Sequence, residues 1–350
     1  MLFDPRPKCS RDELFDRERE LEELHSLVEG NHPLILLTGI RRIGKTSLLC
    51  VFLNEAGLPY ILLDARSLPP NYGLRDIYSL LSASMSNPGF LNRMRRILEM
   101  ISGVRVMGVE VEVSWRGRHP ISLATLFDYL GRERMIIAVD EAQRLRGPRG
   151  RVFLEALAHA YDYDRNLTFI LTGSEIGLLY EYLGLGNPSS PMYGRYMDTI
   201  RLRRFSQEEA LEFLEQGFRE TGLSIPRSYV ESIVSLFDGI PGWLTLAGNH
   251  VTSKRGAIGL EELKQQAVRI ALSELRRLRE THGERILRIL RLVSEGHNTW
   301  GKLKRRLEEE EGRTVPRSAL SHALNTLEKL SILRDYEFLD PVYREAARML

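Results

Sequence analysis

Cysteine is nearly absent: Cys9 and Cys50 are the only two in 350 residues. Neither has a second Cys or a His nearby at metal-ligand spacing, so neither reads as a metal ligand, and both read as bland thiols. No apolar run approaches the ~18–20 residues that a membrane-crossing helix needs. The opening MLFDPRPKCSRDELF carries charge where a signal peptide has its apolar segment. These absences set the expectation of a cytoplasmic protein without a membrane partner. Net charge is also small, +2, too little to announce a nucleic-acid-binding chain. No repeat or low-complexity tract appears, and no aromatic-interleaved basic patch suggests RNA or single strands.

What is present is an ordinary globular composition, 43% hydrophobic and 27% charged, with Arg far outnumbering Lys. The length allows a large core with one or two smaller units. Continuous apolar runs at 34–39, 59–66, 134–142 and 167–175, and a weaker one at 197–205, alternate with helical patterns such as 45–56. That rhythm predicts an α/β domain with a parallel sheet covered on both faces, over residues 1–205. The segment 103–115 alternates apolar and polar residues around a glycine and reads as an inserted β-hairpin. Ser206 followed by Glu209 is a capping-box helix start. Helical patterns then continue through 226–237, 243–250 and 259–280, a small helical unit over 206–280. Over 281–350, three amphipathic stretches (283–296, 300–312, 316–331) precede 332–344, which reads as short strands, the outline of a winged helix-turn-helix.

The chemistry concentrates in Gly39-Ile40-Arg41-Arg42-Ile43-Gly44-Lys45-Thr46, which fits G-x-x-x-x-G-K-[ST] between a strand and a helix. Glycines there let consecutive backbone N–H groups wrap a polyphosphate, and the helix start adds its positive dipole end. Lys45 is placed to reach the β- and γ-phosphates of ATP, and the Thr46 hydroxyl to ligate Mg2+. Ser47 completes the nucleotide-binding stretch. The strand MIIAVDE ends in the expected acidic pair. Asp140 is the metal candidate, and Glu141 the residue that polarises the attacking water. LTGS puts Thr172 and Ser174 at the end of a further strand, on the ligand-binding edge of such a sheet; Ser174 is a catalytic candidate. Arg195, just before the fifth strand, is a candidate for neutralising charge on the transferred phosphoryl group.

Together FDRERELEEL (15–24), GIRRIGKTSLL (39–49), AVDEAQRL (138–145), DGIPGWL (238–244) and FLDPVYREAA (338–347) resemble the archaeal ATPases of the signal-transduction (STAND) branch, relatives of AAA+ proteins. The resemblance implies sheet order 5-1-4-3-2 and a helical lid that repositions between ATP and ADP. It also implies that Phe15 and Arg17 lie by the adenine and that Pro241, in the Gly239-Ile240-Pro241 element, touches the base from the lid. Arg195 matches an arginine of a family Gly-Arg pair, acting on its own subunit or a neighbour's. Most relatives have Gly where this chain has Asp16.

The resemblance leaves two functions open. One is a Mg-ATP-hydrolysing switch whose winged helix packs on the core or on a protein partner, with nucleotide-dependent oligomerisation. The other is a DNA-associated AAA+-like ATPase, similar to archaeal replication initiators. In the latter, Arg317, Ser318, Ser321, His322 and Asn325 would face a groove. A metabolic kinase is a third class, disfavoured by the Asp140-Glu141 pair and the winged helix. Residues 276–335 hold 14 Lys+Arg against 9 Asp+Glu. The basic run KLKRR is, however, followed at once by EEEE.

Overall fold

The computed structural model describes residues 1–116, 120–256 and 259–350. Its centre is a five-stranded parallel sheet made of β1 (Leu34–Thr38), β2 (Tyr60–Asp64), β5 (Met135–Asp140), β6 (Leu167–Gly173) and β7 (Asp198–Arg201). Between β2 and β5 lie β3 (Val104–Met107) and β4 (Glu110–Val113). The sheet order is β2-β5-β6-β1-β7. Counting the sheet strands alone from the β7 edge, this is fifth, first, fourth, third, second. β1 lies between β6 and β7, with Leu36 opposite Leu171 and Thr199.

Strands that are apolar at every position are buried on both faces, and β1, β5 and β6 are buried throughout. Alternate β1 side chains feed different cores. Leu34 and Leu36 join the helices Leu74–Met85, Pro88–Met100, Leu123–Leu130 and Gly150–Tyr163. Ile35 and Leu37 join the helices Glu18–Glu29 and Lys45–Glu55. β3 and β4 form the expected antiparallel hairpin, with Val106 opposite Val111. It packs on the helix Leu74–Met85, where the hydroxyls of Ser82 and of the C-cap Ser86 accept from the Val113 and Val111 amides at 3.1 and 2.9 Å. Those serines satisfy edge groups that would otherwise be open.

After Leu202, whose amide still donates to Thr38 O, the chain leaves the sheet for the lid. Four lid helices follow: Gln207–Glu220, Arg227–Phe237, Pro241–Ser253 and Leu260–His282. Ser206 and Glu209 make the reciprocal bonds of a capping box. The winged helix contributes Glu284–Ser294, Trp300–Glu311 and Arg317–Lys329, then a wing of β8 (Leu333–Arg334) and β9 (Glu337–Phe338). Asp335 and Tyr336, both at positive φ, make its two-residue turn. The stretch after the wing is helical, not extended. Asp340 caps the helix Pro341–Ala347 by accepting from the Val342 amide, with Pro341 in the first helical turn, an Asp-Pro start signal that the apolar reading of 332–344 passed over.

Lid and winged helix share one apolar cluster, and Leu2 and Phe3 from the opposite end of the sequence belong to it. The Phe3 ring stacks edge-on against Phe213 and Phe218. A Cβ at Gly217 or Gly248 would come within 2.2–2.3 Å of that ring. The two glycines therefore make the slot that Phe3 fills. The winged helix also touches the ATPase-side helix Ile176–Leu183. Gly177 faces the Lys329 backbone so closely that a Cβ would sit 2.5 Å from Lys329 Cα. The Ile176 amide donates to Ser331 Oγ at 3.1 Å, and Lys329 pairs with Glu181 at 3.0 Å.

Phe3→Ala empties that slot and is expected to cost about 3 kcal/mol. Thermal unfolding should show a single lowered transition if the N-terminal residues and the lid unfold with the rest, or a separate early one if they do not.

Candidate nucleotide-binding site

A cleft of about 510 Å3 opens at the carboxyl edge of the sheet, between sheet and lid, lined by the phosphate loop, Leu2, residues 4–8, Phe15, Arg17, Arg66, Glu141, Ser174 and Pro241. Residues 39–44 turn out of β1 with Gly39 at φ +152° and Gly44 at φ +99°, backbone that L side chains rarely adopt. At Gly39 a Cβ would meet Ile43 Cγ2 at 2.8 Å. The helix Lys45–Glu55 starts directly from Gly44, so its first unpaired N–H groups face the cleft. Lys45 is buried, and its ammonium donates to the Gly39 and Ile40 carbonyls at 2.9 and 3.1 Å, 3.9 Å from Glu141. Burial lowers its pKa, offset in part by Glu141 and Asp140. An anionic ligand in the loop would reverse that shift.

The end of β5 supplies the second half. Asp140 is 2% exposed and accepts from Thr46 Oγ1 at 2.9 Å and from Thr172 Oγ1 at 2.6 Å. Arg66, just past β2, pairs with the same carboxylate at 3.1 Å. Burial pushes the Asp140 pKa up, with Glu141 adding to it, against the two threonine hydrogen bonds and Arg66. A hydroxyl and a carboxylate oxygen side by side, already facing a cation, make an oxygen donor set that fits Mg2+. Glu141 sits at φ +54°, ψ +49°. Its Oε2 accepts from Ser174 Oγ at 2.6 Å and Gln143 Nε2 at 2.5 Å. Burial raises its pKa, but Lys45 and these hydrogen bonds outweigh that and leave it lowered. A carboxylate held ionised and fixed by two donors can take a proton from a water.

The paired arginines of the loop both end on carboxylates. Arg41 donates to Glu175 at 2.7 Å and reaches Glu274, in the helix Leu260–His282, at 3.6 Å. Arg42 donates to the other Glu274 oxygen, lies 4.1 Å above the Trp243 ring, and its carbonyl accepts from the Gly242 amide at 2.9 Å. Tyr343, in the last helix, donates to Glu274 as well, and Trp243 Nε1 donates to Asp340 at 2.8 Å. Pro241 opens the helix that these contacts hold.

Phe15 lines the cleft edge-on to Phe205 and Phe213. Arg17 is 3% exposed. It donates to the Ile43 and Arg203 carbonyls at 3.4 and 2.9 Å and lies 4.8 Å over the Phe205 ring, a brace between loop and lid. Asp16 takes φ +49°, the conformation a glycine adopts freely and Asp tolerates better than most, so the turn survives the substitution. Arg195 is not brought to the cleft. It precedes β7, whose first residue Asp198 lies beside Ile35 at the start of β1. Four residues of strand, about 13 Å, separate that end from the phosphate loop. There it pairs with Asp162 at 2.5 Å, so it joins no phosphate site in its own chain. Sequence reasoning also passed over Arg66 and Glu274. Arg66 had a signal, being at the carboxyl end of a sheet strand; Glu274, in mid-helix, had none.

The fold and cleft define a P-loop nucleoside-triphosphatase module followed by a helical lid and a winged helix. The model of the ATPase domain predominantly from Archaea matches residues 14–246, and the chain belongs to that family. The C-terminal winged helix-turn-helix domain of MCM proteins matches residues 280–345. A Walker-type ATPase of Pyrococcus abyssi is 34% identical, with 99% of this chain and 100% of that chain covered and a TM-score of 0.84. The Aeropyrum pernix Orc1 protein, solved in complex with DNA, is 19% identical over 91% of this chain and 84% of its own, with a TM-score of 0.48. A STAND protein with a tetratricopeptide repeat sensor from Pyrococcus horikoshii is 15% identical over 96% and 42%, with a TM-score of 0.43. No curated protein sequence matches the chain. No helix among the described residues is long and apolar enough to cross a membrane.

Burial, with Glu209 beside it, lifts the Asp16 pKa to about 6, against Arg17 and Arg203. A carboxylate raised on folding destabilises the fold fully above the folded value and not at all below the unfolded one. Asp16→Asn is therefore expected to raise stability by about 1 kcal/mol at pH 7.5, after discounting for solvent. The gain should shrink toward zero at pH 4, and melting temperatures across that range check it.

Proposed function

We propose that the chain binds Mg-ATP in this cleft, hydrolyses it slowly to ADP and phosphate, and uses the state of the phosphate loop to set the positions of lid and winged helix. The observation that carries this is Glu274. One carboxylate takes hydrogen bonds from Arg42 of the phosphate loop and Tyr343 of the C-terminal helix, with Arg41 close by. Phosphates entering the loop compete for those arginines, and the loss is felt directly in the lid and in the last helix.

The residues divide the chemistry. Loop amides from Gly39 to Thr46 and the Lys45 ammonium hold the β- and γ-phosphates. Thr46 and Asp140 hold Mg2+, which when bound spreads the charge of the phosphate oxygens. Ser174 and Gln143 orient the Glu141 carboxylate, and Glu141 takes a proton from the attacking water. Phe15 and Pro241 line the base end from opposite sides, and Arg17 keeps that end closed against the loop.

DNA reading by the winged helix has less support. Arg317, Ser318, Ser321, His322 and Asn325 are exposed on the third helix, but two of the four cations in the basic run beside it are paired within the chain. Lys304 pairs with Glu308, and Arg306 with Glu309 and Glu310, leaving few cations for phosphates. Duplex binding with a steep salt dependence would reverse this preference.

Lys45→Ala should remove nucleotide retention in equilibrium binding. Glu141→Gln should keep ATP bound and cut phosphate release by about 100-fold or more; normal turnover in that variant sinks its assignment. Glu274→Gln should leave ATP affinity within a few-fold while abolishing ATP-dependent changes in protease sensitivity around the winged helix. If those changes persist, Glu274 is not the coupling group.

A further inference from the structure

The two cysteines of this chain, forty-one positions apart, meet on one face of the phosphate-loop helix. Residues 8–11 run along that helix. The Lys8 amide donates to Ser47 Oγ at 3.1 Å, Asn54 Nδ2 donates to the Cys9 carbonyl at 2.8 Å, and Arg11 pairs with Glu55 at 3.1 Å. Ser47, Cys50 and Asn54 follow at steps of three and four, which places them on one stripe of the helix. Cys9 is thus held directly over Cys50 by bonds on either side. Both are thiols, Cys9 exposed and Cys50 partly buried.

The same segment continues to Phe3, locked in the lid between Gly217 and Gly248. Residues 4–8 in between line the cleft. The strap therefore spans the mouth of the site, fixed in the lid at one end and resting on the phosphate-loop helix at the other.

We infer that Cys9 and Cys50 are a modification site: they form a reversible disulfide that ties the strap to the phosphate-loop helix and slows nucleotide release. The oxidant is a low-molecular-weight disulfide, RSSR. Exposed Cys9 attacks as thiolate, forming a mixed disulfide and releasing one RS–. Cys50 then gives up its proton and attacks Cys9 Sγ, releasing the second. The sum is two protein thiols plus RSSR giving one protein disulfide and two RSH. Burial, with Cys9 beside it, holds the Cys50 thiol up at about 12, so Cys50 is the resolving and slower partner. The sulfur chemistry stands on its own; the effect on release rests on the proposed nucleotide site.

The full-length protein is treated with glutathione disulfide and alkylated, and its peptides are read by mass spectrometry without reduction. The expected product is a Cys9–Cys50 cross-linked peptide with both thiols lost, while Cys50→Ser keeps a glutathione adduct on Cys9. A lasting adduct on Cys9 in the unaltered chain, with Cys50 still alkylatable, overturns the inference. Release of a fluorescent ATP analogue is then followed before oxidation, after it, and after dithiothreitol. Oxidation should slow release several-fold, reversibly, and leave Cys9→Ser unchanged. A cross-link that forms without slowing release overturns the coupling to the cleft. A protein that binds no analogue in either state refutes the nucleotide reading and leaves the thiol result intact.

Discussion

Three parts of the chain that are far apart in sequence converge on one carboxylate. Glu274 faces the phosphate-loop arginines and the hydroxyl of Tyr343 at once. A partly buried carboxylate with several strong donors is stable only while they stay in place. The loop, the lid and the last helix therefore cannot move independently without leaving a charge unpaired. Asp340, buried and bonded to Trp243, repeats the arrangement three residues before Tyr343. The lid is held by charge and ring contacts at its mouth and by Phe3 behind.

The parallel sheet supplies the rest by geometry. Every sheet strand ends on the same edge, so Thr38, Asp64, Asp140 and Gly173 deliver their following residues to one line. Arg66 reaches Asp140 because its strand is adjacent to β5, and Thr172 reaches it from the other side. Asp140 is thus ligated by neighbours on both flanks before any ligand arrives, which keeps the oxygen set ordered at a position where an isolated buried carboxylate would be costly.

How much of this could be read beforehand depends on the range of the contact. The phosphate loop was legible because its glycines, lysine and threonine act through local backbone geometry. The Asp140-Glu141 pair was legible because a buried strand must stop before it can carry two acids. The capping box at Ser206 and the hairpin at 103–115 are local signals of the same kind. Arg195 lies away from the cleft of its own chain because a residue preceding a parallel strand lies on the opposite edge from one following it, a distinction that the sequence does contain. Arg41 and Arg42 were read only as part of the nucleotide-binding loop; where their side chains end, on Glu274 and Glu175, was not legible. Nothing local to position 274 marks it, since its partners lie more than two hundred residues upstream and about seventy downstream. The pairing of Cys9 with Cys50 was hidden for the same reason.

The bare α-carbon at Gly177 makes the seam between the ATPase and winged-helix units a matter of single carbon atoms. With Lys329 backbone filling the space a side chain would need, a methyl there acts as a wedge of fixed thickness, three residues beyond Ser174 at the cleft. The size of the residue at that one position thus sets how closely the winged helix can approach the ATPase-side helix, and with it the angle at which the two units rest.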